Sequence, residues 1–175
     1  YSNIYSDNTE GGRLAFRHLY ALGHRHFYII NPFANVSWAE ARVNGFTEAA
    51  LLKGIPPEQL RIQSNYQTIL RQPVSAVFCV NDFLAMQSIM ALQNHGLKVP
   101  RDISVVGYGD LSFASLAVPT ISTVGENLEK LGIRAFEELY KQCMHKETSP
   151  CTEIIPVQFM PRESSGPANQ NILPD

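Results

Sequence analysis

No run of lysines or arginines interrupts this sequence, and its 14 basic and 16 acidic residues leave a net charge of −2. A chain so balanced has no electrostatic footprint for nucleic acid of its own. No apolar stretch reaches the ~18 residues that a membrane-spanning helix needs, so no membrane partner is expected. The N-terminal YSNIYSDN is neither basic nor apolar and is not a signal peptide; it reads as the middle of something. Cysteine is scarce, and Cys79, Cys143 and Cys151 share no metal-ligand spacing. Three unpatterned cysteines suit a reducing cytoplasm better than a secreted scaffold. Cys79 lies in an apolar run and reads as a buried thiol. Catalytic signatures are missing too: no G-x-G-x-x-G, no G-x-x-x-x-G-K-[ST], no G-x-S-x-G and no candidate nucleophile–base pair. No catalytic residue, metal site or cofactor is expected. His24 and His26 flank a helix end and a strand start, where positive charge or capping is the plain explanation.

What is present alternates between helix period and strand runs, over a length of 175 residues that suits one domain or a large subdomain. Asn8 can cap a helix with Ala15, Leu19 and Leu22 at helical spacing, closed by Gly23. Phe27–Ile30 is a short strand stopped by Asn31-Pro32. Ser37-Trp-Ala-Glu40 fits a capping box ahead of the stripe Ala39, Val43, Phe46, Ala50, which Gly54 ends. Val77–Val80 is apolar on both faces, as a strand covered from two sides would be. The helix after it carries two apolar stripes, Ala85, Ile89, Leu92 and Phe83, Met86, Met90; the second suits either burial in its own core or a partner subunit. Ile103–Val106 is the next strand, and Ile121–Val124 a further extended piece. Leu128, Leu131, Ala135 and Leu139 mark a helix to about Met144. Ile155, Val157 and Phe159 alternate as a last strand, ahead of a Ser-, Gly-, Pro- and Asn-rich tail that reads as disordered.

Strand–helix–strand alternation argues for an α/β fold with a doubly wound, mainly parallel sheet. One place strains that pattern. Between a weak strand near Leu60–Gln63 and the strand at Val77, QTILRQ supplies only about a turn and a half of helix. A crossover needs at least ~10–12 residues with its helix, so this one is either minimal or incomplete.

In open α/β sheets ligands bind beyond the carboxyl ends of the strands. That rule selects Asn31 to Phe33, Asn81-Asp82 and Tyr108 to Asp110, with Trp38 and Arg42 opening a neighbouring helix. Amides, carboxylates, one guanidinium and aromatic faces suit a small polyhydroxylated ligand. Each also has a plainer reading. Asn81 or Asp82 can cap the next helix, Arg42 can be solvated, Trp38 can be a lone surface aromatic, and Asp110 can satisfy loop amides.

Several stretches carry a family resemblance: NTEGGRLAFRHLYALGHRHFYII, ARVNGF, VFCVNDFLAM, GLKVPRDISVVGYGD and VPTISTVGENLEKLG. In order, over nearly the whole chain, they resemble the effector-binding domain of the LacI/GalR family of bacterial transcription regulators. The resemblance implies a periplasmic-binding-protein type I (Rossmann-like) fold, in which two subdomains close on a sugar, a nucleobase or a related metabolite. A helix-turn-helix headpiece binds operator DNA in that family, and the regulator is a dimer. By the same resemblance, this chain starts where the family's C-terminal subdomain starts, with the headpiece and first subdomain missing. It implies a C-terminal effector-binding subdomain over residues 1–125, a helix returning toward the first subdomain over 126–146, the subdomain's final strand within 147–163, and a disordered tail over 164–175.

Two ligand residues carry over on motif: Arg42 from R-x-x-G-[FW] and Asn81 from the strand-end N-D. Phe33, Trp38 and Tyr108 carry over by neighbourhood. The family's Asp after V-V-G-[YF] is Gly109 here, with Asp110 beside it. An Arg without that Asp leans towards a sugar acid or sugar phosphate over a neutral sugar as effector. The helix after Asn81 resembles the family's dimer-forming helix, so Met86, Ile89, Met90, Phe113, Leu116 and Val118 are expected in a homodimer interface. A periplasmic sugar receptor of the same fold is the alternative, and an α/β enzyme stands behind it.

Overall fold

The computed structural model describes residues 2–65, 67–69, 74–145 and 149–169. In chain order the elements are β1 (Asn3–Ser6), α1 (Asn8–Ala21), β2 (Phe27–Ile30), α2 (Ser37–Leu52), β3 (Leu60–Gln63), β4 (Ala76–Cys79), α3 (Asp82–Asn94), β5 (Ser104–Gly109), β6 (Ser122–Gly125), α4 (Leu128–His145), β7 (Thr152–Ile155) and β8 (Gln158–Met160). The main sheet has the order β3-β2-β4-β5-β6-β8, parallel throughout except for β8, which runs antiparallel to β6. β1 and β7 form a separate parallel pair, and α4 packs on it through β1. This is the expected periplasmic-binding-protein-like, mainly parallel α/β fold.

Alternation along the strands sorts the core into two layers. Phe27, Ile29, Phe78, Val106 and Tyr108 face α1 and α2, where Phe46 stacks on Phe78 at 5.0 Å and Phe16 meets Phe27 edge-on at 5.5 Å. The other face meets α3, whose Ser88 lies 3.6 Å from the Cys79 sulfur. Cys79 is fully buried there, and burial raises its thiol pKa to about 12, so it is the inert thiol expected. Close approach of α1 and α2 depends on two glycines. A Cβ on Gly12 would lie 2.0 Å from the Arg42 carbonyl oxygen, and one on Gly45 would lie 1.9 Å from that of Thr9.

Several local expectations need correction. The α1 cap is Asp7, which accepts from the Glu10 amide at 2.9 Å; Asn8 is already the first helical residue. At α2, Ser37 makes no cap and Val36 holds that position, while Glu40 reaches back to the Asn35 amide at 3.1 Å. The single last strand is two. Thr152–Ile155 pairs with β1 and Gln158–Met160 with β6, because the chain passes between the sheets at Pro156-Val157 while keeping an extended alternation. The second half of the expected helix at QTILRQ, residues 70–72, lies outside the described residues.

The tail is ordered at its start. Ser164 is fully buried; its Oγ donates to the Val105 carbonyl at 2.6 Å and accepts from the Ser122 amide at 2.8 Å. The Ala168 amide donates to the Leu22 carbonyl at 2.9 Å. A polar composition can mark a segment whose short side chains bond the backbone, as well as a disordered one. Residues 170–175 lie outside the described residues. His24 belongs to the same tie. It is buried between the Ser75 and Ser104 hydroxyls, each at 3.0 Å, and meets the Gly166 carbonyl at 3.0 Å. Burial lowers its pKa to about 4, so a positive charge at the helix end is not its role.

Candidate functional site

The main sheet reverses its winding between β2 and β4: from β2 the chain moves outward to β3, then crosses back to β4. Such a switch point leaves a crevice at the carboxyl ends of the two strands. Arg42 sits there. Its Nη1 donates to the Val80 carbonyl at the end of β4 at 2.9 Å, and its Nε donates to Asn8 Oδ1 at 2.8 Å. Its Nη2 lies 3.2 Å from Glu126 Oε2. The guanidinium stands 3.5 Å from the Tyr108 ring centroid and 4.7 Å from that of Trp38. Arg42 is only 7% exposed, which overturns the solvated reading. Burial lowers its pKa, and the Glu126 carboxylate opposes that. Asn8 and Glu126 stand at the β1–α1 and β6–α4 crossings, so one side chain ties two of the three connections between the two sheets.

Arg42 opens onto a cavity of about 370 Å³ lined by Ile4, Tyr5, Ser6, Asn8, Trp38, Arg42, Glu126 and Leu131. That volume is in the range of small-ligand sites. Ser6 Oγ is buried behind this lining and has no hydrogen-bond partner among the described residues. An unpaired buried hydroxyl is costly.

The expected site residues divide. Trp38 and Arg42 line the cavity. Phe33 packs against Trp38 at 5.2 Å without lining it. Tyr108 is buried under the guanidinium, so it positions Arg42 rather than facing the cavity. Asn81 is the α3 cap: its Oδ1 accepts from the Leu84 amide at 2.8 Å. Arg42 bonds the peptide next to it, so the two residues are neighbours, but Asn81 does not line the cavity. Asp82 is no cap. It is fully buried, accepts from the Leu111 amide at 2.8 Å and Thr123 Oγ1 at 2.5 Å, and fastens β5 to β6. Burial lifts its pKa.

Gly109 and Asp110 have φ of 124° and 54°, a left-handed exit from β5 that a side chain at 109 would strain. This turn sends Asp110 to a separate cavity of about 430 Å³ beyond Glu126, where Arg162 donates to it at 2.6 Å. The premise of an unbalanced Arg42 therefore fails for a different reason: Glu126, which the motif reading did not include, supplies the missing carboxylate. Asn8 and Ser6 were also missed. Glu126 was within reach of the strand-end rule, since it directly follows β6.

A larger groove of about 680 Å³ runs along the outer side of α3, lined by Phe83, Met86, Gln87 and Met90 among others. It shares no lining residue with the Arg42 cavity. Met90 is exposed there, and Leu116 and Val118 are 80% and 85% exposed on the loop after β5. Met86 and Phe113 are half-buried against the core. Ile89 departs from the expectation: at 3% exposure it belongs to the inward stripe with Ala85 and Leu92, so it is a core residue. Along α4, Leu139 is exposed, Ala135 also faces solvent, and Leu131 is half-buried at the Arg42 cavity.

A family model described as a periplasmic binding protein-like domain matches residues 16–165. The HTH-type transcriptional repressor PurR of Haemophilus influenzae is 31% identical over 160 residues, 83% of this chain and 47% of the repressor. The chain spans about half the length of the curated relatives it matches. A LacI family transcriptional regulator from Enterococcus faecium, solved with bound ribose, superposes with a TM-score of 0.90 at 28% identity, covering 96% of this chain and 66% of that one. A dimeric Lac repressor superposes with a TM-score of 0.82 at 26% identity, covering 95% of this chain and 64% of that one. With its sheet order, its switch-point crevice and these matches, the chain belongs to the periplasmic binding protein-like domain family, and its relatives there are LacI-type transcriptional regulators.

Proposed function

We propose that this chain is the effector-binding part of a ligand-responsive bacterial transcriptional regulator, taking a sugar or related small metabolite in the crevice at Arg42. One observation carries the reading. A nearly buried guanidinium is held at the sheet's switch point by three protein partners and still opens onto a cavity. Five N–H donors in a fixed fork leave two for a ligand after those three contacts. The ribose-bound neighbour supports a small polyhydroxylated effector.

The switch follows from the same geometry. Arg42 ties the β1–α1 crossing through Asn8 and the β6–α4 crossing through Glu126, so a ligand gripping Arg42 acts on both connections at once. A ligand shifts such an equilibrium only by its differential affinity for the two arrangements. Operator contact would belong to a helix-turn-helix elsewhere in the whole protein, which would act in the cytoplasm as a homodimer. The patch of Met86, Met90, Phe113, Leu116 and Val118 is the proposed self-complementary face. Substituting Arg42 by Ala should cost about 1.5–3 kcal/mol of effector binding, the range for a hydrogen bond to a charged group, roughly ten- to a hundredfold in affinity. Calorimetric titration of the intact protein with sugars tests this; unchanged affinity in Arg42→Ala removes the residue from the site.

A further inference from the structure

We infer that Glu126 makes this site selective for uncharged polyhydroxyl ligands and turns anionic ones away. The inference rests on the Arg42 cavity being the effector site, and it names the ligand class that cavity accepts. Among the described residues lining the cavity, Arg42 and Glu126 are the charged groups, and they form an ion pair at 3.2 Å. Their side chains are 8% and 17% exposed, so water screens the pair little. The guanidinium's charge is therefore already answered before any ligand arrives.

Charges around the cavity lean the same way. Asp82 also acts on Arg42 from behind the sheet. On the far side of Glu126, the adjoining cavity holds Asp110 and Glu129. Arg162, the guanidinium at that side, is committed to Asp110. A carboxylate or phosphate entering beside Arg42 would meet no unanswered cation and would sit against the Glu126 carboxylate in a weakly screened place, where like charges repel strongly.

A hydroxyl meets the opposite situation. It both donates and accepts. It can accept from an N–H of Arg42 that the protein leaves unused, and it can donate to a Glu126 oxygen. Trp38 gives an apolar face for the carbon side of a ring. Each protein group at the cavity is thus satisfied by a neutral polyol, whereas an anion leaves the Glu126 carboxylate opposed.

The test is calorimetric titration of the intact protein with glucose, galactose and ribose beside glucuronate, galacturonate and ribonate, for wild type, Glu126→Gln and Arg42→Ala. Wild type should bind at least one neutral sugar about tenfold or more tighter than its acid counterpart, the order expected for one opposed charge. Glu126→Gln removes the negative charge at constant shape and should narrow that ratio about tenfold or more. An acid bound as well as its neutral partner by wild type overturns the inference, and this measurement stands even where Glu126→Gln does not fold. So does an unchanged ratio in Glu126→Gln. The effector-site reading falls separately: it is overturned where Arg42→Ala leaves sugar binding intact, or where wild type binds none of these ligands. Loss of all binding in Arg42→Ala with an unchanged ratio in Glu126→Gln keeps the site and rejects its selectivity.

Discussion

Gly45→Ala should destabilise this protein, and Gly132→Ala should stabilise it, although both place alanine in a helix. Intrinsic propensity favours alanine by about 1 kcal/mol at either position. At Gly45 of α2, however, the added Cβ would lie 1.9 Å from the Thr9 carbonyl oxygen and 2.8 Å from the Thr9 carbonyl carbon of α1. Non-bonded carbons settle near ~3.5–4.0 Å. The obstacle is backbone, which cannot rotate aside, so α1 and α2 must part by more than about an ångström. Even a gap of ~0.5–1 Å forfeits a quarter to a half of each dispersion contact, and this interface holds Phe16 against Phe46. Overpacking costs about 1–3 kcal/mol, occasionally more, and a backbone clash this close belongs in the upper part of that range, about 2–3 kcal/mol, so the net effect after the propensity gain of about 1 kcal/mol is a loss of about 1–2 kcal/mol. For a chain this size the melting temperature should fall about 2–8 °C. Gly132 in exposed α4 has nothing within 4 Å of its Cβ position, so propensity acts alone there. Its melting temperature should rise about 2–4 °C. Gly45→Ala should also weaken sugar binding, because parting the helices strains the bond from Arg42 to Asn8. Thermal unfolding of the two variants side by side is the measurement. A stabilised Gly45→Ala would refute the helix contact that sets Arg42.

His24 should make the protein acid-sensitive. Burial holds its folded pKa at about 4 against an ordinary 6.5. The unfolded chain therefore takes the proton first, and stability present above pH 6.5 is lost as pH falls towards 4. The loss is about 3 kcal/mol for this group. Denaturant titrations at several pH values should show a shallower fall in His24→Gln than in wild type, and equal slopes would exclude His24. Asp82→Asn should cost about 1–3 kcal/mol, because the Leu111 amide and Thr123 hydroxyl both need an acceptor at that buried position; an unaltered denaturant midpoint would contradict this. Met90→Asp should weaken self-association in sedimentation, because it would bury an unpaired carboxylate between subunits. Ile89→Ala should instead lower stability by about 2–5 kcal/mol with association retained, as a core truncation does. The reverse pattern would reassign the two faces of α3.

Continuous apolar runs such as Phe27–Ile30 and Ala76–Cys79 are legible because a strand buried on both faces must be apolar at every position. Arg42 and Trp38 were legible from their place at the start of the helix after such a strand. Tyr108 was not, because alternation tells which face a side chain takes and not what covers it; α1 and the Arg42 guanidinium close over its ring. Ile155, Val157 and Phe159 misled for a related reason. Alternation continues through Pro156 while the pairing partner changes from β1 to β6. The tail at Ser164 misled because composition records polarity, and hydrogen bonds to Val105 and Ser122 come from residues far away in sequence.

The sequence by itself determined the parallel α/β class, the two-faced burial of the strands and the apolar stripes of α3, and it offered Arg42 as one candidate beside the strand ends. All of these follow from short-range rules, since strand and helix periods and turn residues act over a few neighbours. Only the tertiary structure decided which groups surround Arg42. Asn8, Val80 and Glu126 are 34, 38 and 84 positions away, and no local pattern links them. The strand order brings them together at one crevice, and burial there turns a solvated charge into a balanced, partly unused set of donors. The chemistry of the site therefore depends on long-range pairing, while the class of the fold does not.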